Sequence, residues 1–275
     1  MKPHGGGGAS DAPGVTACAA GTPAMLLPDW PLPPAVRSAF SLRMGGVSAA
    51  PWQSLNVGIH VGDAPAAVQE NRRRLRERLA LPAEPMWLSQ VHGTQVAVLG
   101  VDAAPRDVPT LVADAAVTRE RGVVCAIQVA DCLPVLLSAR DGSVIGAAHA
   151  GWRGLAAGVL EAALAAMTVP AGEVLAWVGP GIGVEHFEVG TEVRAAFMAG
   201  DAGGEPDPQA AAFFSPNTRG RWQCDLHGLA RRRLERAGLA GVYGEPCCTY
   251  AGTEQFFSHR RDGRSGRMAA LIWRE

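Results

Sequence analysis

No single charge dominates this sequence, no apolar run is long enough to cross a bilayer, and the cysteines show no dense pattern. Each absence excludes something. A formal net charge of -1, from 25 basic and 26 acidic residues, gives no electrostatic reason to expect nucleic acid or an anionic membrane as the main partner. A small molecule in a pocket fits that balance better. The most apolar stretches, Val123–Leu137 and Val144–Met167, are interrupted by Asp131 and by His149, Arg153 and Glu161, each costly in hydrocarbon. Six cysteines in 275 residues do not make a disulfide framework, and adjacent Cys247 and Cys248 do not read as an ordinary bridge. Reduced thiols and a cytoplasmic location are expected. The tetrad Val15–Cys18 resembles a lipoprotein cleavage box, but no apolar stretch precedes it, so that reading is set aside.

What is present is ample core material. The chain is 48% hydrophobic, enough for one large α/β or α+β domain. Residues 1–25 are rich in Gly, Ala, Pro and Ser and are expected to be a disordered tail, with one folded domain over residues 26–275. Gly200–Gln209 reads as an exposed loop. Strands are predicted over Val36–Leu42, Met86–Val91, Val96–Leu99, Val123–Val129, Val135–Ser138, Val144–Ala148, Val174–Val178 and Met268–Trp273. Helices are predicted from an Asp63 cap through Leu79, with Arg72, Arg73, Arg76 and Arg78 toward solvent, over Leu155–Met167 after a Gly151–Gly154 turn, over Thr191–Met198, and from an Asp225 cap through Ala237. Strands outnumber helices without strict alternation, which favours α+β over a doubly wound sheet.

Three apolar runs end in a metal-binding side chain. Val123–Val129 leads into Cys132, Val144–Ala148 leads into His149, and Gln90-Val91 leads into His92 beside Gly93. Two imidazoles and a thiolate match a catalytic zinc site with its fourth position open. Spacing alone leaves the plainer reading standing: a hydrogen-bonded strand-end histidine and a packed, inert cysteine.

Six segments occur in an order that resembles the YfiH family: SLRMGGVS at Ser41–Ser48, SLNVG at Ser54–Gly58, QVHG at Gln90–Gly93, ADCLP at Ala130–Pro134, HAGWRG at His149–Gly154 and VGPGIG at Val178–Gly183. That family is also called the laccase-domain or multicopper polyphenol oxidase family, with peptidoglycan editing factor as one member. The similarity runs from about Phe40 to the C-terminal arginine-rich segment. It implies an α/β sandwich distantly similar to cysteine hydrolase-like domains, and a zinc triad on His92, Cys132 and His149. It also implies phosphorolysis of adenosine, inosine and methylthioadenosine, with deamination of adenosine. Val129 departs from the pattern, since many relatives carry Thr there, and so does the long N-terminal tail.

Phosphorolysis needs a phosphate site. Arg43, beside Gly45 and Gly46, is the first choice, with Arg261 and Arg267 behind it; a solvated basic turn explains the last two equally well. Asn56 could bond a ribose hydroxyl or a base edge, or close an Asx turn. Asp131 could shuttle a proton in deamination or simply support Cys132, and Trp152 could stack on a purine or fill the core. Three rival readings stay open: a copper phenol oxidase, a Cys–His amidase using Cys132, and a non-enzymatic zinc-binding protein. Seven histidines, dispersed over His4, His60, His186, His227 and His259 besides the two candidates, are few for a trinuclear copper centre. The sequence leaves open whether the protein is a monomer or a homodimer.

Overall fold

The computed structural model describes residues 25–100, 111–199 and 207–275. In chain order these form β1 (Met25–Leu26), β2 (Val36–Ser41), α1 (Pro65–Arg78), β3 (Met86–Trp87), β4 (Val96–Leu99), β5 (Ala115–Thr118), β6 (Val124–Val129), β7 (Leu133–Ala139), β8 (Ile145–Ala150), α2 (Trp152–Ala157), α3 (Val159–Met167), β9 (Val174–Val178), β10 (Glu188–Val189), α4 (Thr191–Met198), β11 (Phe214–Pro216), β12 (Trp222–Cys224), α5 (Leu226–Arg236), β13 (Gly241–Tyr243), α6 (His259–Asp262) and β14 (Met268–Arg274). No described helix is long and apolar enough to cross a membrane.

Alternation along the strands sorts them into layers. In β6, Cys125, Ile127 and Val129 enter one apolar cluster while Val124 and Ala126 enter another. In β14, Met268, Ala270 and Ile272 share the first cluster, and Ala269, Leu271 and Trp273 share the second. These strands belong to a sheet ordered β1-β2-β14-β6-β3. A second sheet, β13-β9-β7-β8-β5-β4, faces it: Leu136, Leu175 and Trp177 join the first cluster, while Val135, Leu137, Ala176 and Val178 point the other way. That outer side is covered by α2 to α5, and Leu75 of α1 covers the outer side of the first sheet. The result is an α/β sandwich of two stacked sheets between helical layers, as expected. A small sheet β10-β12-β11 lies beside them.

Several boundaries differ from the sequence reading, each for a physical reason. Asp63 does not cap α1; Ala64 occupies that position, because the Asp63 carboxylate is committed to Ser48 Oγ at 2.5 Å, Asn56 Nδ2 at 2.9 Å and the Ala64 N–H. Arg72 does not face solvent. Its guanidinium lies 4.1 Å over the Trp87 ring and donates to Val57 O. The predicted Leu155–Met167 helix starts earlier and is split, since Gly158 adopts φ +97° between α2 and α3. Gly151–Gly154 is therefore not a turn but the entry into α2. Of the predicted Met86–Val91 strand only Met86–Trp87 forms, with Ser89 making a single bridge to Val112. The Asp225 cap holds, its side chain accepting the Gly228 N–H at 2.9 Å.

Residues 1–24 of the expected tail lie outside the described residues, but Met25 is buried and pairs with Ser41. Residues 200–206 of the expected loop also lie outside them, and Pro208 opens a 3-10 turn through Phe213. Cys125, Cys132, Cys224 and Cys248 are free thiols. Cys247 is disulfide-bonded, against the expectation of reduced cysteines throughout.

Candidate metal centre

The antiparallel pairing of β7 with β8 sets Leu133 opposite Ala150 and Pro134 opposite His149. Cys132 immediately precedes β7, so the register delivers it to the end of β8 that carries His149. Alternation sends Ala148 and Ala150 into the helix-side cluster, and thus turns the His149 side chain to the opposite side. His92 arrives from the loop between β3 and β4, in the left-handed region at φ +62°. Its Nε2 lies 3.8 Å from Cys132 Sγ, and its ring stands edge-on to that of His149 with centroids 4.8 Å apart. One ligand atom from each of His92, Cys132 and His149 lies within 4.8 Å of the others, and no second such group of His, Cys and carboxylates occurs among the described residues.

Two features prepare these groups for a cation. Gly151 leaves room for them: a Cβ there would meet His92 Cδ2 at 2.8 Å and Cys132 Sγ at 2.9 Å. His149 Nδ1 is engaged with Asp114 Oδ1 at 2.9 Å, which leaves Nε2 as its ligating atom. The donor set of two nitrogens and a thiolate fits zinc with one position left for water or substrate.

Electrostatics favours the ionised thiol. Burial alone would hold the Cys132 thiol up, but the imidazoles of His149 and His92 outweigh it and bring the pKa down to about 6. Burial would likewise lower His149, yet the Cys132 sulfur and the Asp114 carboxylate raise it to about 9. Cys132 and His149 thus behave as one thiolate–imidazolium pair when no metal is present.

His92 and Cys132 open onto a cleft. Trp152, Ile182, Phe187 and Leu226 supply apolar walls, while Arg153, His259 and Arg260 bring cationic and hydrogen-bonding groups to it. Asp131 lines the same cleft at φ +92°; its carboxylate accepts Thr249 Oγ1 at 2.7 Å and the Arg260 N–H at 2.6 Å.

The predicted substrate residues fare differently. Arg43 donates to the carbonyls of Gln53 and Thr253 and stands over the Phe257 ring, and it is not among the residues lining the cleft. Asn56 is fully buried; its Oδ1 accepts the N–H groups of Gly58 and Arg267, which is the Asx-turn geometry. Arg261 spends its donors on Asp262 and on the carbonyls of Thr249, Tyr250 and Phe256. Arg267 also donates to backbone, to the carbonyls of Ser265 and Gly266; burial lowers its pKa, while Cys132 and Asp131 pull it back up. Sequence reasoning missed Asp114, Arg153, Phe187, Leu226, His259 and Arg260. Asp114 carried a signal, an acid inside the apolar run Leu111–Val117.

Fold and site together define an α/β-sandwich protein with a His-Cys-His group that could hold a metal ion at the mouth of a cleft. Residues 37–275 match the family described as multi-copper polyphenol oxidoreductase laccase, and the chain belongs to that family, which includes the YfiH proteins. A Pseudomonas aeruginosa protein named as a purine nucleoside phosphorylase is 50% identical over 251 residues, 91% of this chain and 98% of its own. The purine nucleoside phosphorylase YfiH of Escherichia coli is 46% identical over 250 residues, 90% of this chain and 98% of its own. A crystal structure of a Neisseria meningitidis protein superposes with a TM-score of 0.84 at 46% identity, covering 91% of this chain and 99% of that one.

Proposed function

We propose that this protein is a zinc-dependent purine nucleoside phosphorylase acting on adenosine, inosine and methylthioadenosine, with adenosine deamination as a second activity at the same cleft. The observation that carries the reading is the convergence of His92, Cys132 and His149 at a cleft with apolar walls and a cationic edge. The names of the relatives point the same way.

Phosphorolysis displaces the purine from ribose C1′ by phosphate, and the departing base takes up a proton. Trp152, Phe187 and Leu226 offer flat and apolar surface for a purine ring. Arg153 and Arg260 line the cleft and are the groups assigned to the phosphate oxygens, since planar guanidinium groups suit a dianion better than a point charge would. This assignment replaces Arg43, which does not line the cleft and whose guanidinium is tied to two backbone carbonyls. A bound zinc ion would supply Lewis acidity and an activated water. Deamination also needs a proton carrier, and Asp131 is the carboxylate facing the cleft.

The test is metal content measured together with phosphate-dependent release of free base. Wild type should hold one zinc per chain and release adenine from adenosine; His149→Ala and Cys132→Ala should lose both. A zinc-free His149→Ala protein with full phosphorolysis would sink the reading.

One observation favours a second reading. Asp114, His149 and Cys132 follow one another as acid, base and nucleophile, and the thiol is depressed, as in a Cys–His amidase. That version expects a chelator to raise turnover and an electrophile to label Cys132. A copper phenol oxidase expects a blue absorption band after copper loading.

A further inference from the structure

The Asp114 carboxylate is fully buried and makes four contacts, all to the two segments that carry the histidine ligands. Oδ1 accepts the His92 N–H at 2.9 Å and meets His149 Nδ1 at 2.9 Å. Oδ2 accepts the N–H groups of Val91 at 3.2 Å and Gly93 at 2.7 Å. The Asp114 carbonyl also accepts the His149 N–H at 2.7 Å.

Three successive backbone N–H groups converging on one anion form a nest, and such a nest needs a residue with positive φ. Here that residue is His92, at +62°. A non-glycine residue in this region costs about 1 kcal/mol. The buried carboxylate offsets it, because three N–H groups facing each other without an anion would repel.

We infer that Asp114 is the positioning residue for both histidine ligands. One carboxylate fixes the backbone that aims His92 and, by holding His149 Nδ1, turns His149 Nε2 toward the site, so both imidazoles are oriented before a cation arrives. The inference rests on the metal reading above and extends it to a residue that touches neither metal nor substrate.

Asparagine separates this role from mere packing, since it has nearly the same shape but only one acceptor. If its oxygen takes the Oδ1 position, its amide faces the Val91 and Gly93 N–H groups and the nest opens. If the amide takes that position, it faces the His92 N–H and makes His149 Nδ1 an acceptor, which moves the ring proton to the ligating Nε2. Either way one histidine is lost as a preset ligand.

The experiment titrates purified, metal-free full-length wild type and Asp114→Asn with Zn²⁺ against a competing chelator, with circular dichroism reporting the fold. Asp114→Asn is expected to stay folded and bind Zn²⁺ about 10- to 100-fold more weakly. A folded variant with wild-type affinity overturns the inference. Should the variant not fold, nitrogen-15 NMR of Zn²⁺-loaded wild type decides: a proton on His149 Nδ1 is expected, and a bare Nδ1 overturns the inference. Wild type that binds no Zn²⁺ at all would overturn the metal reading itself, a separate outcome.

Discussion

Gly151 stands where any side-chain carbon would come within 2.9 Å of Cys132 Sγ and 2.8 Å of His92 Cδ2. Its backbone, at φ -68° and ψ 157°, is one that alanine adopts without strain. The glycine is therefore required by the close approach of Cys132 and His92 rather than by the backbone conformation. Gly151→Ala should leave the melting temperature within a few degrees of wild type and weaken Zn²⁺ binding by about tenfold or more, a displacement of about 1.4 kcal/mol. A competition titration beside a thermal melt checks it. Unchanged affinity would mean the thiolate and imidazole can move aside.

A second expectation concerns pH. His227 on α5 is buried, and its Nε2 lies 3.2 Å from Gly179 O. Burial lowers its pKa from the usual 6.5 to about 4. The unfolded chain then binds a proton that the folded chain refuses between those two values. Stability is full above about pH 6.5 and falls as pH drops toward 4, by about 3 kcal/mol from this one group. His227→Gln keeps a donor but removes the titration. Its urea midpoint should change less than that of wild type between pH 6.5 and 4.5; equal slopes would sink the assignment.

Much of this was legible in the sequence, and the reason is local chemistry. The long strands announced themselves because both sheets are buried on both sides, so Val124–Val129 and Met268–Trp273 read as continuous apolar runs. Short strands such as β5 and β10 to β13 were not legible, since they depend on partners far along the chain. The structure brings His92, Cys132 and His149 together, and these three candidate ligands were visible as chemistry-bearing residues at strand ends. The arginines were not. An arginine that binds phosphate and one that clamps carbonyls look identical in sequence, and Arg43 and Arg261 prove to have carbonyl partners. Asp63 misled in the same way, because a buried network competed with the helix end for its oxygens.

That network yields a third expectation. Asn71 is fully buried on α1; its two amide N–H groups are shared among Ser48 Oγ at 2.8 Å, Ser54 O at 3.0 Å and Asn56 O at 2.8 Å, and its Oδ1 accepts the Val47 N–H at 2.8 Å. It ties the Val47–Asn56 loop to a helix. Asn71→Ala would strand those buried groups and should cost about 3 kcal/mol of stability. Hydrogen exchange should rise at Val47 while the amides of β14 stay protected. Uniform loss of protection, or none, would argue against a local clamp.

The last expectation separates phosphate binding from catalysis. Arg153 lies 4.3 Å over the Trp152 ring, and Arg260 donates to Glu188 O, so both guanidinium groups are held at the cleft without a carboxylate partner among the described residues. A cation with its charge uncompensated is what an incoming phosphate dianion would meet. Arg153→Ala and Arg260→Ala should each raise the KM for phosphate by about tenfold, equivalent to about 1.4 kcal/mol of lost binding. Zinc content should not change, since neither side chain is a ligand. Steady-state rates at varied phosphate and saturating adenosine measure it. A loss of kcat with KM unchanged would place these arginines at the transition state instead, and no effect on either would remove both from the phosphate site.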